Sequence, residues 1–149
     1  MNDNLKLKGE VLIETRDRVS NKILSHLEIN NLIVNVGKEY VAKLLGGIET
    51  DGFCAIAIGE GTTAPVGGNS ALESEVEREV ITPVYVADYK IKFEKTFVFG
   101  TGISYAITEA GVFNSGTVSG STMLNRVSFG ALNVGTDINL YIRFTITVS

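Results

Sequence analysis

One histidine and one cysteine bound the chemistry open to this 149-residue chain. His26 falls on the polar side of an alternating segment, where a solvated imidazole is expected. Cys54 lies in the apolar run Phe53-Cys54-Ala55-Ile56-Ala57-Ile58 with no cation beside it, so a buried, inert thiol is expected. A Cys54–His26 pair is the one thiol–imidazole couple available. No thiolate cage or poly-histidine zinc site can be built from such a set. Glu73, Glu75, Glu77 and Glu79 lack the Asp-rich loop that calcium requires, and they read as a solvated face. Gly59-Glu60-Gly61 opens like a nucleotide loop, but no Gly follows three residues on and no Lys-Ser/Thr closes it. Glu60 would also repel a phosphate, so the expectation there is a turn with glycine at positive φ. Glu109 stands alone in the apolar stretch Ile107 to Phe113; if buried it must be paired, and Arg126 and Arg143 are the candidate partners. A structural ion pair is expected there, not a catalytic acid. No catalytic, cofactor-binding or metal-ligating residue is assigned, and the chain is expected not to be an enzyme.

The elements that would position these groups follow from periodicity. Leu5, Leu7, Val11 and Ile13 alternate with polar residues, as do Ile23, Ser25, Leu27 and Ile29. With the polar residues Thr15 to Arg18 and Ser20-Asn21 between them, residues 1–30 form an expected amino-terminal hairpin. Asn35 can cap a helix whose Val36, Tyr40 and Leu44 are four apart, with Val41 and Leu45 on the adjoining row and Gly46-Gly47 as its stop. Phe53 to Ile58 reads as a strand, and Gly59 to Gly68 as a loop. Ser70-Ala71-Leu72-Glu73 has the form of a capping box and predicts a second short helix carrying Glu73, Glu75, Glu77 and Arg78. Strands are then expected over 89–94, 96–99, 104–107 and 123–129. The cleanest covers 138–148, where Ile138, Leu140, Ile142, Phe144, Ile146 and Val148 fill every even position. The expected fold is mainly β: an antiparallel β-sandwich or jelly-roll-like barrel with one or two short helices, in one domain over 1–149.

Composition excludes several classes of function. Hydrophobic residues make up 44% of the chain, which suits a packed globular domain and not a disordered one. The net charge of −4 argues against nucleic acid as a partner. The opening Met1 to Gly9 is too polar for a secretory signal, and no apolar run is long enough to span a membrane. The protein is expected to be made and to fold in the cytoplasm, with no membrane partner. Residues 100–149 hold only four charged side chains, Glu109, Arg126, Asp137 and Arg143. A turn-rich sheet explains that, and so does a surface buried against another protein, since interface cores are poor in charge.

Several segments together resemble a known family. These are Asn31-Leu32-Ile33-Val34-Asn35-Val36-Gly37 with Leu44-Leu45-Gly46-Gly47, Ala57 to Pro65 with Ser70 to Arg78, Ile107 to Asn114, and Thr122 to Phe129. In order and spacing they resemble small structural proteins of tailed bacteriophages: head decoration (cement) proteins and related tail-fibre or baseplate modules. The resemblance covers about residues 31–149. It implies a non-catalytic β-rich module that binds the major capsid protein or other virion subunits as a homo-oligomer, expected to be a trimer, on the outer capsid surface. The last strand runs to Ser149 with no shaft or heptad segment after it, which suits a decoration protein. A tail-fibre or baseplate module that binds a host receptor is the alternative, and a small hydrolase is the alternative from another class.

Overall fold

The computed structural model describes residues 4–149. Residues 1–3, part of the polar opening and of the expected 1–30 hairpin, lie outside the described residues. Ten strands and one helix follow in the order β1 Leu7–Asp17, β2 Ile23–Asn30, β3 Leu32–Ile33, α1 Asn35–Leu45, β4 Ala55–Gly59, β5 Glu75–Val80, β6 Val84–Tyr85, β7 Lys90–Phe97, β8 Ser104–Phe113, β9 Met123–Gly135 and β10 Ile138–Val148.

Every strand pairing is antiparallel. β10 and β9 touch at one pair, Ile138 with Gly135, so the ten-stranded sheet bends there into two halves. One half runs β2-β1-β10-β7-β6 and the other β3-β9-β8-β4-β5. Their inner faces share a single core: Val11 and Ile13 of β1, Phe93 and Phe97 of β7 and the even positions of β10 meet Ile56 and Ile58 of β4, Val112 of β8 and Val127 of β9. This is the expected β-sandwich, open at its edges rather than closed into a barrel.

The alternation in β10 is realised as read, with Leu140, Ile142, Phe144 and Ile146 all buried and their odd neighbours half-exposed. The amino-terminal hairpin forms, with Val11 opposite Ile29 and Ile13 opposite Leu27. The strands expected at 89–94 and 96–99 are one continuous β7, and those at 104–107 and 123–129 extend to Phe113 and Gly135.

Helix α1 lies on β9 as its apolar stripe demands. Tyr40 is buried edge-on against Phe53, its hydroxyl donating to the Asp51 carbonyl at 2.6 Å. Leu45 is largely exposed instead of completing the stripe. Val34, not Asn35, is the N-cap, and no side chain caps the helix; the Asn35 amide donates to the Gly67 carbonyl at 2.9 Å. Gly47 ends the helix at φ +70, the left-handed conformation expected of it.

Gly37 lets the helix touch the β9 backbone directly. A Cβ there would sit 2.4 Å from the Leu124 carbonyl oxygen. Gly37→Ala is therefore expected to destabilise by about 1–3 kcal/mol from overpacking, despite alanine's helix preference of about 1 kcal/mol. Urea unfolding checks the sign, and a stabilised variant would show that the helix can slide off β9.

The second predicted helix does not form. Residues 75–80 are the edge strand β5, paired to β4 with Arg78 opposite Ala57. Glu75, Glu77 and Glu79 alternate with Val76, Arg78 and Val80, a period-two pattern that outweighs the capping box once β4 offers a ladder. An isolated helix of two turns is marginal in water and gains nothing comparable. The residues of the box serve another purpose.

Candidate functional site: a buried Glu109–Arg126 clamp

The outer face of the β3-β9-β8-β4-β5 half carries unusually small residues, with Ala57 opposite Gly111 and Gly59 opposite Glu109. They leave room for the long loop between β4 and β5 to lie flat on the sheet. Leu72 of that loop packs with Val34, Ala55, Ala57, Phe113 and Met123 in a second apolar cluster.

Glu109, wholly buried, fastens the loop. Its Oε2 accepts the backbone N–H groups of Gly61 and Ser74, each at 2.7 Å. Its Oε1 accepts the Glu73 N–H at 2.9 Å and the Arg126 Nε at 3.1 Å. Arg126, also buried, then reaches the Thr63 carbonyl at 3.0 Å and Asn69 Oδ1 at 3.2 Å. Between the two open sequence alternatives, Arg126 is the partner of Glu109. Arg143 sits on β10 opposite Glu94, in the other half.

Gly59 and Gly61 are not at positive φ, contrary to expectation. They are required by close approach: a Cβ on Gly61 would stand 2.3 Å from Glu109 Oε2. Glu73 of the expected capping box bonds the Thr63 hydroxyl and amide instead of reaching back to Ser70, and Glu60 accepts the Ala106 N–H at 3.0 Å. Arg78, which sequence reasoning did not single out, makes a second clamp. It forms a bidentate pair with Glu75, lies 3.9 Å over the Phe113 ring and donates to the Ser115 and Thr117 carbonyls. A lone arginine amid alternating glutamates was the only sequence signal for it.

The remaining candidates are not brought together. His26 lies on β2, its Nδ1 2.8 Å from Glu14 Oε2, while Cys54 flanks β4 in the opposite half, partly exposed rather than buried. Among the described residues Cys54 is hydrogen-bonded through its backbone, its N–H donating to the Phe113 carbonyl and its carbonyl accepting the Ile81 N–H. Glu14 belongs to a polar network on the outer face of β1 and β10, where Arg16 also bonds it and stacks 4.4 Å over Tyr141. Among the described residues no three His, Cys, Asp or Glu side chains are placed to hold a metal ion. No helix there is long and apolar enough to cross a membrane.

The Tyr141 hydroxyl donates to Glu94 Oε2 at 2.5 Å. That bond, reinforced by Lys92, outweighs burial and holds the Glu94 carboxyl below its ordinary value of 4.5. A carboxylate whose folded pKa is depressed contributes stability above its unfolded pKa and loses it as pH falls through the folded one. Stability is thus expected to drop below about pH 4.5, and Tyr141→Phe should shrink that drop. Unfolding midpoints at pH 7 and pH 3.5 for both proteins check this; equal pH sensitivity would contradict it.

Fold and site together define an antiparallel β-sandwich whose buried charges clamp its own loops. No known family, curated protein or solved structure matches the chain.

Proposed function

We propose that this protein is a non-catalytic structural subunit of a tailed-bacteriophage particle, a head decoration protein that binds neighbouring capsid subunits. The observation that carries the reading is where the resemblance segments meet. Ala57 to Pro65, Ser70 to Arg78, Ile107 to Asn114 and Thr122 to Phe129 converge on the Glu109–Arg126 clamp. Each Glu109 oxygen already accepts two or more hydrogen bonds in a fully buried position, which leaves no lone pair facing a substrate. The shared residues thus hold the chain to itself and build a rigid block.

A rigid block acts by adhesion. Binding the assembled shell and not its free subunits stabilises the shell by mass action, and a symmetric oligomer anchored at several points adds avidity to weak contacts. A homotrimer is the proposed form. Light scattering coupled to size exclusion tests it: a trimeric mass supports the reading, and a strict monomer at high concentration counts against it. Shell binding should survive His26→Ala and Cys54→Ala, whereas a hydrolase would lose turnover in one of them. Location at the tail tip with affinity for host surface glycans would favour the tail-fibre or baseplate alternative.

A further inference from the structure

One end of the sandwich is left apolar. Strand pairing brings the start of β1, the end of β10 and the start of β7 to the same end, with Leu7 opposite Val148 and Ile146 opposite Ile91. Helix α1 covers part of that end. Between α1 and β1 lies a depression of about 460 Å³, lined by Leu5, Leu7, Val41 and Leu45. It shares Leu5 with a second of about 520 Å³, lined also by Ile91, Val148, Tyr85 and Tyr89. Leu5, Leu45, Tyr85 and Tyr89 are each about two-thirds or more exposed.

The charged side chains that line the two depressions are all lysines. Lys6 and Lys38 border the first depression and Lys90 the second, and neither is lined by an acidic residue. Of the other five lysines, Lys8, Lys43, Lys92 and Lys95 form ion pairs, whereas Lys6, Lys38 and Lys90, like Lys22 in the β1–β2 turn, have no carboxylate partner among the described residues. In a chain of net charge −4 these three lysines, with Asp88 on the adjoining turn, give the apolar floor a rim of net positive charge.

The turn from β6 to β7 carries a second, independent sign. Asp88 and Tyr89 both adopt positive φ, 53° and 67°. Such a turn is normally made with Asn-Gly, and a bulky residue in that region is strained. Strain of this kind clusters where a surface is used. Its effect here is to hold the Tyr89 ring, 73% exposed, beside the second depression.

The geometry points to a docking groove, formed by α1, the start of β1 and the β6–β7 turn, for an acidic, apolar polypeptide segment of a partner subunit. Apolar side chains of the segment fill the two depressions, and its carboxylates meet Lys6, Lys38 and Lys90. Tyrosine is suited to the role because it gives large contact area with few rotors to immobilise. The inference rests on the adhesion reading and names the chemistry of the partner.

The test uses the whole protein, isotopically labelled, titrated with a synthetic peptide alternating glutamate and leucine, and in parallel with one alternating lysine and leucine. The acidic peptide is expected to bind saturably and to shift the amide signals of Leu5, Val41, Tyr85 and Tyr89, while the basic one does not. Lys6→Glu with Lys38→Glu and Lys90→Glu should raise Kd at least tenfold and reverse the preference. Tyr89→Gly, which relieves the positive φ, should keep or raise the melting temperature and still weaken binding severalfold. No saturable binding, equal binding of both peptides, or shifts confined to another face would overturn the groove. A protein that failed here yet trimerised or was recovered in purified particles would lose this groove and keep the adhesion reading.

Discussion

Arg126→Met is expected to destabilise the protein by about 3–5 kcal/mol, because it removes one partner of a buried ion pair and leaves the other charge uncompensated. Glu109 would retain the Gly61, Glu73 and Ser74 amides, but no cation. The Thr63 carbonyl would lose its Arg126 donor as well, and Asn69 Oδ1 would keep only the Val66 N–H. In a chain of this size the loss corresponds to a fall in Tm of about 6–20 °C. Glu109→Leu should cost as much, since it frees three backbone N–H groups and strands Arg126. Because the two residues share one network, the double variant should cost about 2 kcal/mol less than the sum of the singles. Limited proteolysis gives a local readout: the loop from Glu60 to Ser74 should become the first site of cleavage in either single variant. An additive cycle, or a loop as resistant as before, would mean that the clamp is not what holds the loop.

Phe144→Asp is expected to abolish folding. Phe144 is fully buried at the centre of the sandwich, opposite Phe93 on one side and Val11 on the other. Deleting a core phenylalanine costs about 3–5 kcal/mol, and burying an unpaired carboxylate adds several more. The total rivals the whole stability of an ordinary domain, about 5–15 kcal/mol. Thr145→Asp, one position along on the outer face between Glu10 and Lys92, is the control. It should change stability by less than about 1 kcal/mol. Circular dichroism of the two variants separates them: one without a cooperative melt, one melting close to the parent. Similar behaviour would contradict the assignment of inner and outer faces.

Where the chain repeats a simple period, its fold was legible. The strict alternation over 138–148 and the hairpin from Leu7 to Asn30 follow from side-chain spacing alone, because a slip of one residue would turn every apolar group outward. The edge strand β5 was not legible in the same way. Its capping box is a local signal, while the β4 ladder that overrides it comes from residues twenty positions away. The site behaved similarly. A lone carboxylate in an apolar stretch announces that a partner exists, and Arg126 stood among the two candidates. That the same carboxylate gathers three amides from a distant loop depends on Gly59, Gly61 and Gly111 thinning the backbone between them, a close approach that reads in sequence merely as loop glycine. Tyr89 carried no sequence signal, since its meaning lies in a backbone angle.

Rigid adhesion to other subunits of a phage particle is the mode of action we propose for this protein. Electron cryomicroscopy of particles assembled with the protein, and of particles assembled without it, tests that most directly. Adhesion of this kind requires density for the sandwich on the outside of the shell, three copies per site, with the Lys6, Lys38 and Lys90 end seated on a neighbouring subunit. Particles of identical density in both preparations, alongside a purified protein that turns over a substrate, would contradict it.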